Sequence, residues 1–255
     1  MIANYHTHTV RCHHAVGTER EYIENAIQAG IKVLGFSDHS PQFFEDDFVS
    51  PMRMTPAEAP AYIATLRHLA EEYKQDIQIL VGFEAEYYPA LFGSLQHFCR
   101  EQGVDYLIMG QHHLHDERLG TYVGMPHSDM GLLSSYVDQV IEGMKTGSFS
   151  YIAHPDLCNF LGDDGWHERE YTRLCMAAKE LDIPLEVNML GLMTDRHYSS
   201  SRFFKIAKKC GNKIIVGCDA HDPSVFLNEA AFDKTRRFVE DLGLSPVEKL
   251  TFKTI

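Results

Sequence analysis

Short apolar runs alternate with longer amphipathic stretches along the whole chain. The runs cover residues 2–5, 32–36, 77–83, 106–109, 150–153, 185–188 and 213–217. Several are rich in Ile, Val and Leu without polar alternation, the pattern of strands covered on both faces of a parallel sheet. Between them the spacing predicts helices near 19–29, 56–74, 90–102, 132–146, 168–181, 201–210 and 232–242. Thr18 stands three residues before Glu21, a capping-box spacing, and Gly30 follows as a stop signal. Thr55-Pro56 offers a cap followed by proline at the first helical position, and Gly103 and Gly211 end two further helices.

This is about seven β-then-α units with no Pro/Gly/Ser-rich linker, composition shift or low-complexity run between them. The expectation is one α/β domain over residues 1–255, closed as a TIM-like barrel. A doubly wound open sheet is the other arrangement such units build. Neither a G-x-G-x-x-G turn nor a Walker A lysine motif is present, so the nucleotide-binding versions of that sheet lack their signature.

Composition narrows the function classes. Of the 255 residues, 44% are hydrophobic and 23% charged, which excludes global disorder. No apolar run approaches the length of a membrane span, and the first ten residues lack the basic-then-apolar order of a secretory signal. Six cysteines, at 12, 99, 158, 175, 210 and 218, contain no CxxC pair and read as reduced thiols. These points lead us to expect a cytoplasmic protein. The formal charge of -13 repels phosphate backbones, so nucleic acid is not an expected partner. A small phosphorylated substrate held through metal ions remains compatible with it. No heptad repeat or long apolar stripe demands a partner chain, and the oligomeric state stays open.

Fifteen histidines are scattered through the chain, mostly where apolar runs end. The seven runs lead in turn to His6-Thr7-His8, Asp38-His39, Glu84-Ala85-Glu86, Gln111-His112-His113, His154-Pro155-Asp156, Glu186-Val187-Asn188 and Asp219-Ala220-His221. In a parallel barrel all these ends open on one face. Residues i and i+2 of a strand share a side, so His6 and His8 can grip one ion, as can Asp219 and His221. His14 lies in the loop after the first strand, within reach of the same face. A lone strand-end histidine is commonly a hydrogen-bonded loop residue. So many imidazoles and carboxylates on one face, however, create repulsion and desolvation costs that cations relieve.

His6, His8, His14, His39, His112, His154 and His221, with Glu84 and Asp219, make nine candidate ligands. One zinc takes about four, so the set suits two or three divalent ions, and imidazole with carboxylate fits Zn, Mn or Fe. Such a centre performs hydrolysis: the metals acidify a bridging water and neutralise phosphoryl oxygens while the leaving group departs in line. No G-x-S-x-G elbow and no phosphatase-like Cys/Arg loop suggests a covalent route.

The segments HTHT at 6–9, SDH at 37–39, GFE at 82–84, GQHH at 110–113, AHPD at 153–156 and CDAH at 218–221 resemble the polymerase-and-histidinol-phosphatase (PHP) superfamily. Order and spacing match over roughly residues 4–223. Within the superfamily the chain looks most like stand-alone histidinol-phosphate phosphatases. The resemblance implies a distorted (β/α)7 barrel with a trinuclear metal centre built from the nine residues above, Glu84 bridging two ions and Asp219 completing the site beside His6 and His8. It also implies hydrolysis of L-histidinol phosphate to L-histidinol and phosphate by a metal-bridging hydroxide, a late step of histidine biosynthesis. The chain departs from the pattern at His113, which leaves His112 and His113 as competing ligands. It departs again at Cys218, where serine is common, and at Met193, where arginine is common.

A phosphomonoester site needs cations beyond its metals. Arg196 is the expected phosphate contact, with Arg53 and His197 as further substrate-binding candidates. Asp38 is expected at the catalytic centre, orienting His39 or another ligand. Asp156 and Glu86 are further acids near the site. Tyr87, Tyr88, Trp166 and Tyr198 read as packing residues or pocket walls. His68, His97, His115, His127 and His167 read as packing or surface residues, His13 as a spare, and Glu45-Asp46-Asp47 and Asp163-Asp164 as solvated loops. Two other functions compete: a PHP-type phosphoesterase for another small ester or nucleotide, and a metal-binding protein without catalysis.

Overall fold

The computed structural model describes residues 1–255. Seven parallel strands pair in chain order: β1 (Ala3–Asn4), β2 (Val33–His39), β3 (Gln78–Ala85), β4 (Tyr106–Met109), β5 (Phe149–Ile152), β6 (Leu185–Asn188) and β7 (Ile214–Gly217). Helices α1 (Glu19–Gln28), α2 (Ala59–Glu72), α3 (Phe92–Glu101), α4 (Met130–Lys145), α5 (Asp164–Glu180) and α7 (Ser201–Cys210) cross between strands, and α8 (Glu229–Asp241) follows the last one. Sequential order with every pair parallel is the βαβ crossover repeated. The expected barrel therefore forms and the open-sheet alternative does not.

Closure is narrow. Just past β1 and β7 the two edges share one backbone bridge, parallel, between Thr7 and Ala220, and Cys218 N–H donates to the Asn4 side chain at 2.8 Å. There His8 N–H donates to the Ala220 carbonyl (2.9 Å) and Ala220 N–H donates to the His6 carbonyl (3.1 Å). The seam thus joins the first and last histidine motifs, at the C-terminal mouth.

Two apolar cores explain the continuous hydrophobic runs. The larger lies between sheet and helices and includes Leu34, Phe36, Val81, Phe83, Leu107, Leu185 and Val187. The smaller fills the barrel with Ala3, Tyr5, Val33, Tyr106, Ile108, Tyr151, Ala153 and Ile215. Tyr106 spans that interior, its hydroxyl donating to the Tyr5 carbonyl (2.8 Å) and closing on that of Phe36 (3.2 Å). Phe252 of the C-terminal tail packs edge-on against Tyr5 at 5.5 Å and tilted against Tyr106 at 5.2 Å.

The Thr18–Glu21 capping box is present. Other boundaries move for local reasons. Thr55-Pro56 does not start α2: Glu58 Oε2 accepts from Thr55 N (2.8 Å), forming a turn that delays the helix to Ala59. Asp163 and Asp164 are solvent-exposed as expected, but they open a helix: Asp163 is the N-cap of α5, accepting from Trp166 N at 2.7 Å, and Asp164 is its first residue. A short helix absent from the sequence expectations, α6 (Met189–Met193), is capped by the Asn188 side chain on Gly191 N (2.9 Å).

Candidate metal centre

β2 and β3 run past their apolar stretches to His39 and Ala85, so His39 and Glu84 are strand residues paired in register. The ladder itself thus sets the 3.0 Å between His39 Nδ1 and Glu84 Oε2. Glu84 is almost wholly buried and is the hub of the mouth. Its Oε2 lies 3.5 Å from His8 Nε2 and 3.7 Å from His6 Nε2. Its Oε1 lies 2.7 Å from His154 Nε2 and 3.7 Å from His112 Nε2. Asp219 faces it across the seam, its Oδ1 at 3.2 Å from His8 Nε2, 3.4 Å from His6 Nε2 and 3.4 Å from His221 Nδ1.

The donor atoms fall into overlapping groups, each within 4.8 Å: His6/Glu84/His154, His6/His8/Asp219, His8/His39/Glu84, His14/His39/His221, and His8/Cys12/His221. Eight of the nine expected ligands appear in them, and His112 reaches Glu84 from the side. His113 instead turns toward Tyr122, with ring centroids 5.5 Å apart. Cys12 is the donor that strand-end reasoning missed, because it sits in a short 3-10 turn (Val10–Cys12) rather than on a strand.

Do these residues suit metal ions? His6 Nε2 and both ring nitrogens of His8 are buried without a hydrogen-bond partner. Orphaned polar atoms at that depth cost free energy unless something fills the space between them. Charge agrees. Burial disfavours the imidazolium form of His6, yet Asp219, Glu186 and Glu84 together push its pKa up to about 10. Burial dominates at His39 and pushes it down to about 3. Glu84 and Asp219 stay well below the ordinary carboxylate range despite burial, because imidazoles surround them. The cluster is a concentration of negative charge shared among lone-pair donors, which is the chemistry of a divalent-cation site.

Supporting residues orient the donors. Asp38, expected at the catalytic centre, is fully buried and lies 3.4 Å from His8 Nδ1. It also accepts from Thr9 N (3.0 Å) and His39 N (2.8 Å), so it is a positioning residue for His8 and for the turn after it. Glu186, to which the sequence reading gave no role, takes His6 Nδ1 on Oε1 (2.8 Å) and His154 N on Oε2 (3.0 Å). Gly110 and Gly217 are glycines because any Cβ there would collide with the Glu84 and Glu186 carboxylates. His154 and Asp219 both hold left-handed backbone, φ 29° and 51°, a strained state that turns each side chain back into the mouth.

A cavity of about 550 Å³ opens over this cluster. Its remaining wall is Met52, His113, Tyr122, Leu157, Leu190, Arg196 and Tyr198. Arg196 is the cavity's guanidinium, held by a 2.6 Å bond from Nη1 to the Tyr198 hydroxyl. Tyr198 is therefore a wall residue, whereas Tyr87 and Tyr88 are buried in the barrel wall and Trp166 lies on α5 beside Arg169.

Two expected substrate residues do not line the cavity. Arg53 is buried, with Nη2 on Glu86 Oε2 (2.9 Å), Nε on Glu117 Oε2 (2.7 Å) and Nη1 on the Ser40 carbonyl (3.1 Å). A guanidinium taken out of water must be paired, and two carboxylates from sequence-distant loops converge to pair it. Glu86 in turn accepts from His112 N (2.8 Å) and His113 N (3.0 Å), so Arg53 meets the site through Glu86 and through Ser40, the residue after His39. His197 turns its Nε2 to the Leu157 carbonyl at 2.7 Å.

A parallel barrel with histidines and acids gathered at its C-terminal mouth is the architecture of metal-dependent hydrolases. The family model of the PHP domain matches residues 4–190, and the chain belongs to that family. A protein of Deinococcus radiodurans named as a probable histidinol-phosphatase is 28% identical over 232 residues, 87% of each chain. A probable phosphatase of Clostridium acetobutylicum is 25% identical, covering 95% of this chain and 87% of the relative. Among solved structures, the histidinol phosphate phosphatase of Lactococcus lactis, complexed with zinc, L-histidinol and phosphate, matches with a TM-score of 0.74 at 16% identity. That match covers 98% of this chain and 96% of the other. No helix is long and apolar enough to cross a membrane.

Proposed function

We propose that this protein is a metal-dependent phosphomonoesterase whose substrate is L-histidinol phosphate. The observation that carries the chemistry is the set of buried, unpartnered imidazole nitrogens of His6 and His8 facing the Glu84 and Asp219 carboxylates. The substrate comes from the names of the relatives.

In this reading His6, His8, His14, His39, Glu84, His112, His154, Asp219 and His221 hold up to three divalent ions (Zn, Mn or Fe), with Glu84 and Asp219 as shared carboxylates. Bound ions there supply an acidified water and neutralise phosphoryl oxygens. The chain's own residues do the rest. Glu186 and Asp38 fix the imidazoles in place, which spares the reaction that reorganisation. Arg196 sits at the cavity wall where a phosphoryl oxygen would meet a cation, and its guanidinium can take that oxygen in a fork. Leu157, Leu190, Met52 and Tyr122 exclude water around the organic part of the ester.

The test is elemental analysis of the purified protein together with phosphate release from L-histidinol phosphate and from a panel of other phosphomonoesters and nucleotides. A lead of orders of magnitude in kcat/KM for histidinol phosphate supports the reading. A lead by another ester keeps the chemistry and replaces the substrate. Bound metal without turnover on any ester refutes the enzymatic reading.

A further inference from the structure

Cys12 is wholly buried beside the metal-binding cluster. Its position follows from the local chain path. After His8, Thr9 caps a single 3-10 turn by accepting from Arg11 N, and Asp38 anchors Thr9 through its backbone N–H at 3.0 Å. The turn closes on His13 at φ 66°, and His14 folds back so that its Nδ1 lies 2.6 Å from the Cys12 carbonyl. That reversal brings Cys12 Sγ within 4.8 Å of donor nitrogens of His8 and His221. His221 belongs at the same time to the His14/His39/His221 group. His8 is buried with neither ring nitrogen in a hydrogen bond, so an unpartnered imidazole borders the thiol, while His221 is fixed through Nδ1 at 3.0 Å from the Asp219 carbonyl.

We propose that Cys12 is a metal ligand: its thiolate completes the coordination of an ion held by His221. The inference rests on the metal-centre reading above and adds to it a sulfur donor at one position only. Binding forms one sulfur–metal bond and breaks the S–H bond, and the proton leaves to solvent. Thiolate with imidazole is a softer set than imidazole with carboxylate. The His221 position therefore prefers zinc or ferrous iron over manganese, while the Glu84 and Asp219 positions accept all three. The other cysteines are not placed to do this: Cys99, for example, is buried in the helical layer on α3.

The experiment is cobalt substitution of the full chain, read by absorption and by elemental analysis. The expected result is a thiolate-to-cobalt charge-transfer band in the near ultraviolet. The band is lost in Cys12→Ser and Cys12→Ala and kept in Cys99→Ala, and each Cys12 variant retains one ion fewer after dialysis. Cobalt bound by the native protein without that band overturns the proposal, a result that needs no variant to fold. Retention of band and ion count in Cys12→Ala overturns it equally. A native protein that binds no cobalt, zinc, manganese or iron refutes the metal-centre reading itself, and the Cys12 role with it.

Discussion

Replacing Arg53 by methionine separates two roles for this residue. Its guanidinium meets Glu86 at 2.9 Å and Glu117 at 2.7 Å, and all three side chains are at least 95% buried. At an effective dielectric near 20, each contact carries about 6 kcal/mol of gross attraction. Desolvation of the three charges cancels much of that, and deleting one member of a buried pair costs about 3–5 kcal/mol net. For a chain of this size each kcal/mol moves the melting point by about 2–4 °C. Arg53→Met should therefore lower Tm by roughly 6–20 °C. Part of the loss should return when Glu117→Gln is added, because one unpaired carboxylate is removed. The same variant should hold metal less well, since Glu86 fixes the His112 and His113 backbones. Thermal melts and elemental analysis after dialysis check both. A melting point within about 2–4 °C of the native protein, with a raised KM and full metal content, would refute the reasoning and return Arg53 to the substrate.

Glu186→Gln should weaken metal retention by about 10–100-fold at little cost in folding, because it loosens His6 and His154 rather than deleting a ligand; chelator titration measures it. Arg196→Ala should raise KM for the phosphoester while metal content holds, and unchanged kinetics would remove Arg196 from the phosphate. In metal-stripped protein, His6 has a folded pKa raised from 6.5 to about 10, so its protonation stabilises the fold. That contribution is complete below pH 6.5 and is lost as pH rises through about 10. The chelated protein should thus melt progressively lower across that window, and a flat profile would contradict the assignment. Ion removal should also speed amide exchange at His8 and Ala220, the donors of the backbone bridge across the seam, relative to amides of β2 and β3.

The donors were legible because a parallel barrel imposes a rule on sequence: chemistry collects where apolar runs end, and alternate residues share a side. His6, His8, Asp219 and His221 obey that rule directly. Local signals served the helices equally well where cap and partner are three residues apart, as at Thr18 and Glu21. Arg53 and Glu186 escaped for the opposite reason. Each draws its role from partners far along the chain: Glu86 and Glu117 for the arginine, His6 for the glutamate. No spacing rule relates them, and desolvation decides the pairing only once the loops have met. Cys12 escaped because its reach depends on a left-handed residue at His13 that turns the loop back on itself. The apolar wall of Met52, Tyr122, Leu157 and Leu190 comes from three loops and the short α6 and has no period at all.

Closure ties the site to the fold. β1 contributes two residues to the sheet, and the seam to β7 has a single backbone bridge at Thr7 and Ala220. The donors on either side of that bridge are His6 and His8 on one edge, Asp219 and His221 on the other. A cation shared by Asp219 with His6 or His8 would therefore span the seam as well as serve the chemistry, at a place where the backbone ladder is a single bridge. The sequence pays for strong ligand clustering with repulsion and orphaned nitrogens in the ion-free chain, and a bound ion would remove both costs while adding a link between the first and last strands. The first and last motifs are the two edges that one backbone bridge joins, and their donors face each other across it at 3.2–3.4 Å.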